Sequence, residues 1–242
     1  MGLFSRKKQS TELPFVTAII PAAGSSRRMG GENKQLILLE GIPVLGRTLM
    51  AFQQSPYIRE IVLAAPEELI AKYAALGRRL DITKLTRVVR GGASRAESVY
   101  RAACQADERC RYLAVHDGAR PLVSEEIIGR VCEAAFLHSA AGAGVPVVDT
   151  MKEVDKTGRI VKTVDRSTLR AMQTPQAAEK ALLLAALQSA LEAGVEVTDE
   201  LAALERMGLH PWIVDGAPEN IKITTPADVL FAQAILERRN ET

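Results

Sequence analysis

The stretch VTAIIPAAGSSRRMGGENKQ, residues 16–35, decides the fold. Its apolar, β-branched start (Val16, Thr17, Ile19, Ile20) suits a strand buried on both faces, as in a mostly parallel sheet. The loop that follows is built for close approach. Ala22, Ala23 and Gly24 present little bulk, and Gly30 and Gly31 allow unusual backbone angles. Consecutive backbone N–H groups in such a loop can cradle an anion. Arg27, Arg28 and Lys34 add three positive charges within eight positions. The combination is suited to a triphosphate. It has neither the P-loop nor the GxGxxG spacing. A plain basic surface loop after a strand is the alternative.

Outward from this stretch the pattern is regular. Apolar runs EIVLAAP (from Glu60), TRVV (from Thr86), YLAVHD (from Tyr112) and GVPVVD (from Gly144) read as further buried strands. Amphipathic stretches at about 44–54, 67–80, 95–106 and 124–139 read as helices between them. Ser124-Glu125-Glu126 carries a capping hydroxyl and acids for a first helical turn. Strand–helix alternation predicts an α/β fold, a mostly parallel twisted sheet flanked by helices, with ligands at the carboxyl ends of its strands. The pattern breaks after Asp149. MKEVDKTGRIVKTVDRS reads as two polar strands around Lys156-Thr157-Gly158, a hairpin too poor in apolar residues to build a core. A projecting arm at about 150–172, packing on something else such as a second copy of the chain, is the expectation. Helices are expected at 177–193, from Thr198 and from Pro226, with a strand HPWIVDG between the last two.

Two more loops follow predicted strands. GGASRAES (residues 91–98) pairs Gly91 and Gly92 with Ser94 and Ser98 at a helix start, which a tight turn explains equally well. HDGARP (residues 116–121) puts Asp117 at the carboxyl end of a strand, where it could hold a Mg²⁺ bridged to phosphates or simply cap a turn.

Composition narrows the function. The 242 residues are 47% apolar with a net charge of +2, enough for one substantial core and without the basic stripe that nucleic acid requires. Cys104, Cys110 and Cys132 have neither disulfide nor zinc spacing and read as reduced thiols. No apolar run approaches the roughly 20 residues of a membrane helix. Residues 1–14 read as a disordered basic tail and 15–242 as a single domain in a cytoplasmic protein.

In this order PAAG, RM, KQ, GG followed by R and SV, HD followed by ARP, DTMK, DR, QTPQ, TDE and NIKIT resemble one family, the 2-C-methyl-D-erythritol 4-phosphate cytidylyltransferases of the non-mevalonate isoprenoid pathway. The match runs from Pro21 to about Asp228. The resemblance implies a homodimeric, Mg²⁺-dependent (or otherwise divalent-dependent) enzyme that joins CTP to methylerythritol phosphate and releases pyrophosphate. It implies a nucleotide site at Pro21, Ala22, Ala23, Gly24, Arg28, Lys34, Gly91, Gly92, Ser98, Asp117, Gly118 and Ala119. Arg28 and Lys34 match the positions that act on the triphosphate. Thr150, Arg166 and Lys222 match those that grip the acceptor phosphate, and Asp117, Arg120, Thr174 and Thr198 fall with them. Asp117 is also the expected metal ligand. The family's arm crosses to a partner subunit, so Thr150 and Arg166 are expected to serve the neighbour's site. The chain departs from the pattern at Ser26 (usually Gly), Asn33 (usually Pro), Ala93 (often acidic) and Arg170 (commonly Trp). A ribitol-5-phosphate cytidylyltransferase would share fold and chemistry but usually opens its loop with a Leu-Ala-Gly-Gly type sequence. A non-catalytic nucleotide-binding relative is disfavoured by the joint presence of the charged set, and a dehydrogenase by the missing GxGxxG.

Overall fold

A computed structural model describes residues 12–24 and 33–241. Seven strands form one sheet in the order β11-β7-β10-β6-β1-β4-β5. β1 (Val16–Pro21), β4 (Ile58–Ala65), β5 (Leu85–Arg90) and β6 (Tyr112–Val115) run parallel. β10 (Arg170–Glu179) lies antiparallel between β6 and β7 (Ala140–Pro146), and β11 (Trp212–Asp215) closes the edge parallel to β7. β2 (Leu38–Leu39) and β3 (Ile42–Pro43) form a short ladder apart from the sheet.

Side chains alternate across the sheet, as a period of two demands. Val16, Ala18 and Ile20 of β1 face one layer with α1 (Val44–Gln54), α2 (Ile70–Arg79) and α4 (Glu125–His138). Ile19 faces the other with α3 (Arg95–Ala103), α5 (Lys180–Glu192) and α6 (Glu200–Glu205). Leu49 and Phe52 of α1 are fully buried, so truncating either to Ala is expected to cost about 2–5 kcal/mol. A smaller cluster seats α7 (Pro226–Asn240) over Leu39 and Ile223. Asp228 starts α7 by accepting from the backbone N–H groups of Thr224 and Thr225.

The predicted helices at 44–54 and 124–139 stand almost residue for residue. The start of α4 differs in one detail, since the Ser124 hydroxyl makes no capping bond. Some boundaries need correction. β7 begins at Ala140, four residues before Gly144, because Ala140, Ala141 and Ala143 are small apolar residues that the strand buries. Residues 170–179 form a central strand, and the helix expected from Ala177 begins at Lys180. Helical propensity in QAAEK loses there to pairing on both sides, with β6 and β7. The hairpin exists as β8 (Lys152–Val154) and β9 (Ile160–Thr163), and Gly158 takes the positive φ of +86° its turn requires. Every residue of both strands is exposed. No helix among the described residues is long and apolar enough to cross a membrane.

Candidate active site

Strand order reverses at β1, with β4 and β5 on one side and β6 on the other. Open α/β sheets leave a crevice outside the carboxyl ends of their strands at such a switch point. A cavity of about 400 Å³ lies there, lined by Pro21 at the end of β1, by Ala23 and Gly24 after it, and by Asp117, Gly118 and Ala119 after β6. Lys34, Gly92, Ser98 and Lys222 complete the predicted residues on its wall.

The glycines are needed for contact as well as freedom. A Cβ on Gly91 would stand 2.5 Å from the Ala23 Cβ and 3.0 Å from the Ser98 hydroxyl, which fixes how closely the two loops meet. Ala22 is buried beneath the wall. Ser98 holds the loop: its hydroxyl accepts from the Gly92 N–H (2.9 Å) and donates to the Ser94 carbonyl (2.8 Å). Asn33, where the family pattern has Pro, caps the short helix Lys34–Leu36. Its carbonyl accepts from the Gln35 N–H at 3.0 Å and its amide donates to the Tyr73 hydroxyl at 3.1 Å. The departure therefore brings its own anchor for the turn that carries Lys34.

Charge concentrates at Asp117. Arg95 reaches its Oδ1 at 3.2 Å, Lys222 its Oδ2 at 2.8 Å, and Arg120 stands 3.7 Å from Oδ2. Burial opposes ionisation of this carboxyl, but Arg95, Lys222 and Arg120 outweigh it and hold its pKa well below the usual carboxylate range. Arg120 is fixed in turn by the Asn220 carbonyl at 2.7 Å. The backbone here is pinned from behind. The Asp117 N–H donates to the Thr174 hydroxyl (3.1 Å), and that hydroxyl lies 3.0 Å from His116 Nδ1. His116 Nε2 lies 3.1 Å from the Arg120 carbonyl, which can only accept, so Nε2 carries the proton and Nδ1 accepts from Thr174. Burial lowers the His116 pKa to about 4, leaving the ring neutral.

Thr174 and Arg120 thus sit directly behind Asp117. Thr198 is exposed and absent from the cavity wall, as are Thr150 and Arg166 on the arm side. Arg166 donates instead to the Val148 carbonyl. Arg28, with Ser26, Gly30 and Gly31, lies outside the described residues. Sequence reading missed two partners of Asp117, namely Arg95 directly and, through it, Glu200. Arg95 is visible as the cation after the glycine pair. Nothing local connects it to Glu200, 105 positions away. The buried amides Gln173, Gln176 and Asn220 were also missed. Asn220 donates to the Thr174 carbonyl at 2.8 Å and to Gln173 Oε1 at 3.2 Å, which ties the Lys222 segment to β10.

The chain matches the family model described as IspD, 2-C-methyl-D-erythritol 4-phosphate cytidylyltransferase, over residues 16–238. It is 44% identical to the protein of that name from Symbiobacterium thermophilum, over 92% of this chain and 93% of the relative. It is 42% identical to that of Caldanaerobacter subterraneus, over 92% and 99%. Among solved structures, the 4-diphosphocytidyl-2C-methyl-D-erythritol synthase of Anaerococcus prevotii superposes with a TM-score of 0.83 at 30% identity, covering 93% of this chain and 96% of that one. The Thermus thermophilus cytidylyltransferase gives 0.76 at 31% identity, with 92% and 99% covered.

Proposed function

The chain belongs to the 2-C-methyl-D-erythritol 4-phosphate cytidylyltransferase family, and from that premise we propose that it transfers the cytidylyl group of CTP to 2-C-methyl-D-erythritol 4-phosphate in the cavity beside Asp117. The observation that carries this reading is the wall itself. Small residues from the loops after β1 and β6 line it together with Lys34, while Asp117 and Lys222 form an ion pair beside them.

An oxygen of the acceptor's phosphate attacks the α-phosphorus of CTP. The new P–O bond forms as the bond to the β-phosphate oxygen breaks, and pyrophosphate leaves. The phosphate monoester is ionised at neutral pH, its second pKa being about 6, so no general base is required. His116 suits none in any case, since it is buried and both ring nitrogens are engaged. The difficulty is bringing two polyanions together, and catalysis rests on position and fixed charge. Lys34, with Arg28 six positions before it in the sequence, balances charge developing at the α-phosphate. Lys222 receives the acceptor phosphate, oriented by its ion pair to Asp117. Gly91 lets the two loops meet closely, and Gly92 and the Asp117–Ala119 turn shape the wall against which the nucleotide lies.

The donor set fits a Mg²⁺ ion that arrives on the nucleotide. Among the described residues, Asp117 is the one carboxylate on the cavity wall, and no cluster of three or more His, Cys, Asp or Glu able to hold a metal occurs. An ion held mainly by phosphates and one carboxylate is the usual state of Mg²⁺ in such sites. When bound it supplies charge neutralisation on the triphosphate. Thr150 and Arg166 complete the acceptor site from a second copy of the chain, which the exposed apolar residues Val154, Ile160 and Val161 of the arm support. The three free thiols suit a cytoplasmic enzyme.

Pyrophosphate release with CTP and Mg²⁺ tests the reading, with methylerythritol phosphate and ribitol 5-phosphate offered in parallel. Release with the former only, abolished by chelation, is expected. Release with ribitol 5-phosphate only would reassign the acceptor. Release with neither, from folded protein that binds CTP, would end the enzymatic reading.

A further inference from the structure

Glu200, the first residue of α6, is 1% exposed, and nothing in the proposed reaction uses it. Its two carboxylate oxygens take one edge of the Arg95 guanidinium, with Nη1 at 2.6 Å and Nη2 at 3.1 Å. The other edge of the same group, Nε and Nη2, meets Asp117 Oδ1, each at 3.2 Å. Arg95 is thus a planar strut between a buried carboxylate and Asp117 on the cavity wall. The strut's far end is anchored as firmly as its near end. Gln176 Oε1 accepts from the N–H groups of Glu200 (3.1 Å) and Leu201 (3.2 Å), and its amide donates to Asp199 at 2.9 Å. Gln176 and Thr174 both belong to β10, and Thr174 holds the Asp117 N–H. The contacts close a ring from β10 through Asp117, Arg95 and Glu200 back to β10.

From this ring we infer that Glu200 is a positioning residue for cytidylyl transfer, holding Arg95 so that it orients Asp117 and, through it, Lys222. The inference rests on the function proposed above. A purely structural role explains the arrangement poorly, because apolar pairs of similar volume usually stabilise a core as well as a buried ion pair does. What an apolar pair cannot do is fix the rotation of a guanidinium. With Glu200 in place, Arg95 spends both edges on carboxylates and offers little to an incoming polyphosphate. Without that negative charge, Arg95 is released toward the triphosphate. Nucleotide binding is then kept or strengthened while Asp117 and Lys222 lose their orientation. A defect in turnover separated from nucleotide affinity is therefore the mark of the role.

The experiment compares wild type, Glu200→Gln and the double variant Arg95→Met/Glu200→Met. Turnover is measured by pyrophosphate release, CTP affinity by calorimetry without acceptor, and folding by thermal unfolding. Glu200→Gln is expected to lower kcat roughly 100-fold, the scale of a misplaced reacting group, with CTP bound no more weakly than in wild type. The double variant removes both charges together and is expected to fold, since such replacements are commonly neutral. It should lose turnover to a similar degree, which keeps the test alive if Glu200→Gln fails to fold. Wild-type turnover in a folded Glu200→Gln or double variant overturns the inference. So does CTP affinity falling in step with turnover in Glu200→Gln. Failure of the wild type itself to release pyrophosphate would instead sink the reaction on which the inference rests.

Discussion

The floor of the cavity and the β8–β9 arm hold their side chains in opposite ways. At the floor, Asp117 is fixed through its backbone by Thr174 and through its carboxylate by Arg95 and Lys222, side chains drawn from three separate parts of the sequence. On the arm, all seven residues of the two strands are exposed. Between its strands the arm's side-chain ties are an ion pair between Lys162 and Glu153 (3.0 Å) and a bond from Lys152 to Thr163. Exposed pairs of that kind contribute about 0–1 kcal/mol. A fixed charge needs a rigid, desolvated surround. An element meant to reach another molecule can leave its apolar side chains uncovered until it arrives. In the proposed dimer, the site's two halves would therefore depend on different things, one on this chain's own core and the other on assembly.

The largest expected effect is at the floor. Lys34→Ala should raise the barrier by about 3–4 kcal/mol, a rate loss on the order of 10²–10³-fold, the usual result of removing one preorganised group. Circular dichroism would check that the fold survives, and near-normal turnover would remove Lys34 from the chemistry. The arm is expected to give a smaller loss, roughly tenfold to a hundredfold for Arg166→Met and mostly in the KM for the acceptor, because an acceptor-phosphate contact is lost while CTP binding is intact. Mixing the two variants sharpens the contrast. If Arg166 serves the partner's site, a hybrid dimer holds one doubly damaged site and one undamaged site. Refolding an equal mixture should then restore about a quarter of wild-type activity, half the dimers being hybrids with one good site each. Activity no higher than the mean of the two variants would place Arg166 outside the partner's site.

The same contrast governs what the sequence revealed. β1, β6 and the helices at 44–54 and 124–139 were legible because apolar periodicity and burial agree there. The cavity wall was legible because small residues, glycines and lysines cluster after strands. β10 was not, since QTPQAAE has neither the β-branched run of a buried strand nor a strand's alternation, and it becomes a strand only by pairing on both sides. Glu200 was hidden for a related reason. Thr198-Asp199-Glu200 looks like an ordinary helix start, and Asp199 does accept from the Ala202 N–H at 2.8 Å. That Glu200 turns inward to Arg95 is a fact of tertiary packing that no local pattern carries. The arm's turn was plain from Thr157-Gly158, yet its purpose was not, because exposure in one chain is silent about what covers it.

The floor also contains a titrating group that the arm has no counterpart for. His116 is fully buried, donates from Nε2 to the Arg120 carbonyl and accepts at Nδ1 from Thr174. Its pKa in the native state is about 4, burial being the main cause, against 6.5 when unfolded. Between those values the unfolded chain binds a proton that the native chain does not, so stability rises with pH across the window. It is fully present above about pH 6.5 and falls by roughly 3 kcal/mol on acidification to about pH 4. The depressed Asp117 carboxyl next to it has the same partition, the unfolded chain again binding the proton, but in a lower window. Its contribution is kept above the ordinary Asp pKa of about 3.9 and lost only below it. Urea denaturation at pH 7.5 and pH 4.5 should therefore show the His116 loss before Asp117 contributes. Removing the imidazole by His116→Gln should lower stability at pH 7.5 but flatten the dependence between the two conditions. An unchanged slope in that variant would mean the acid sensitivity arises elsewhere than beneath Asp117. A flattened slope would mean that acid loosens the floor of the cavity while the arm, which holds no buried titrating group, is left as it was.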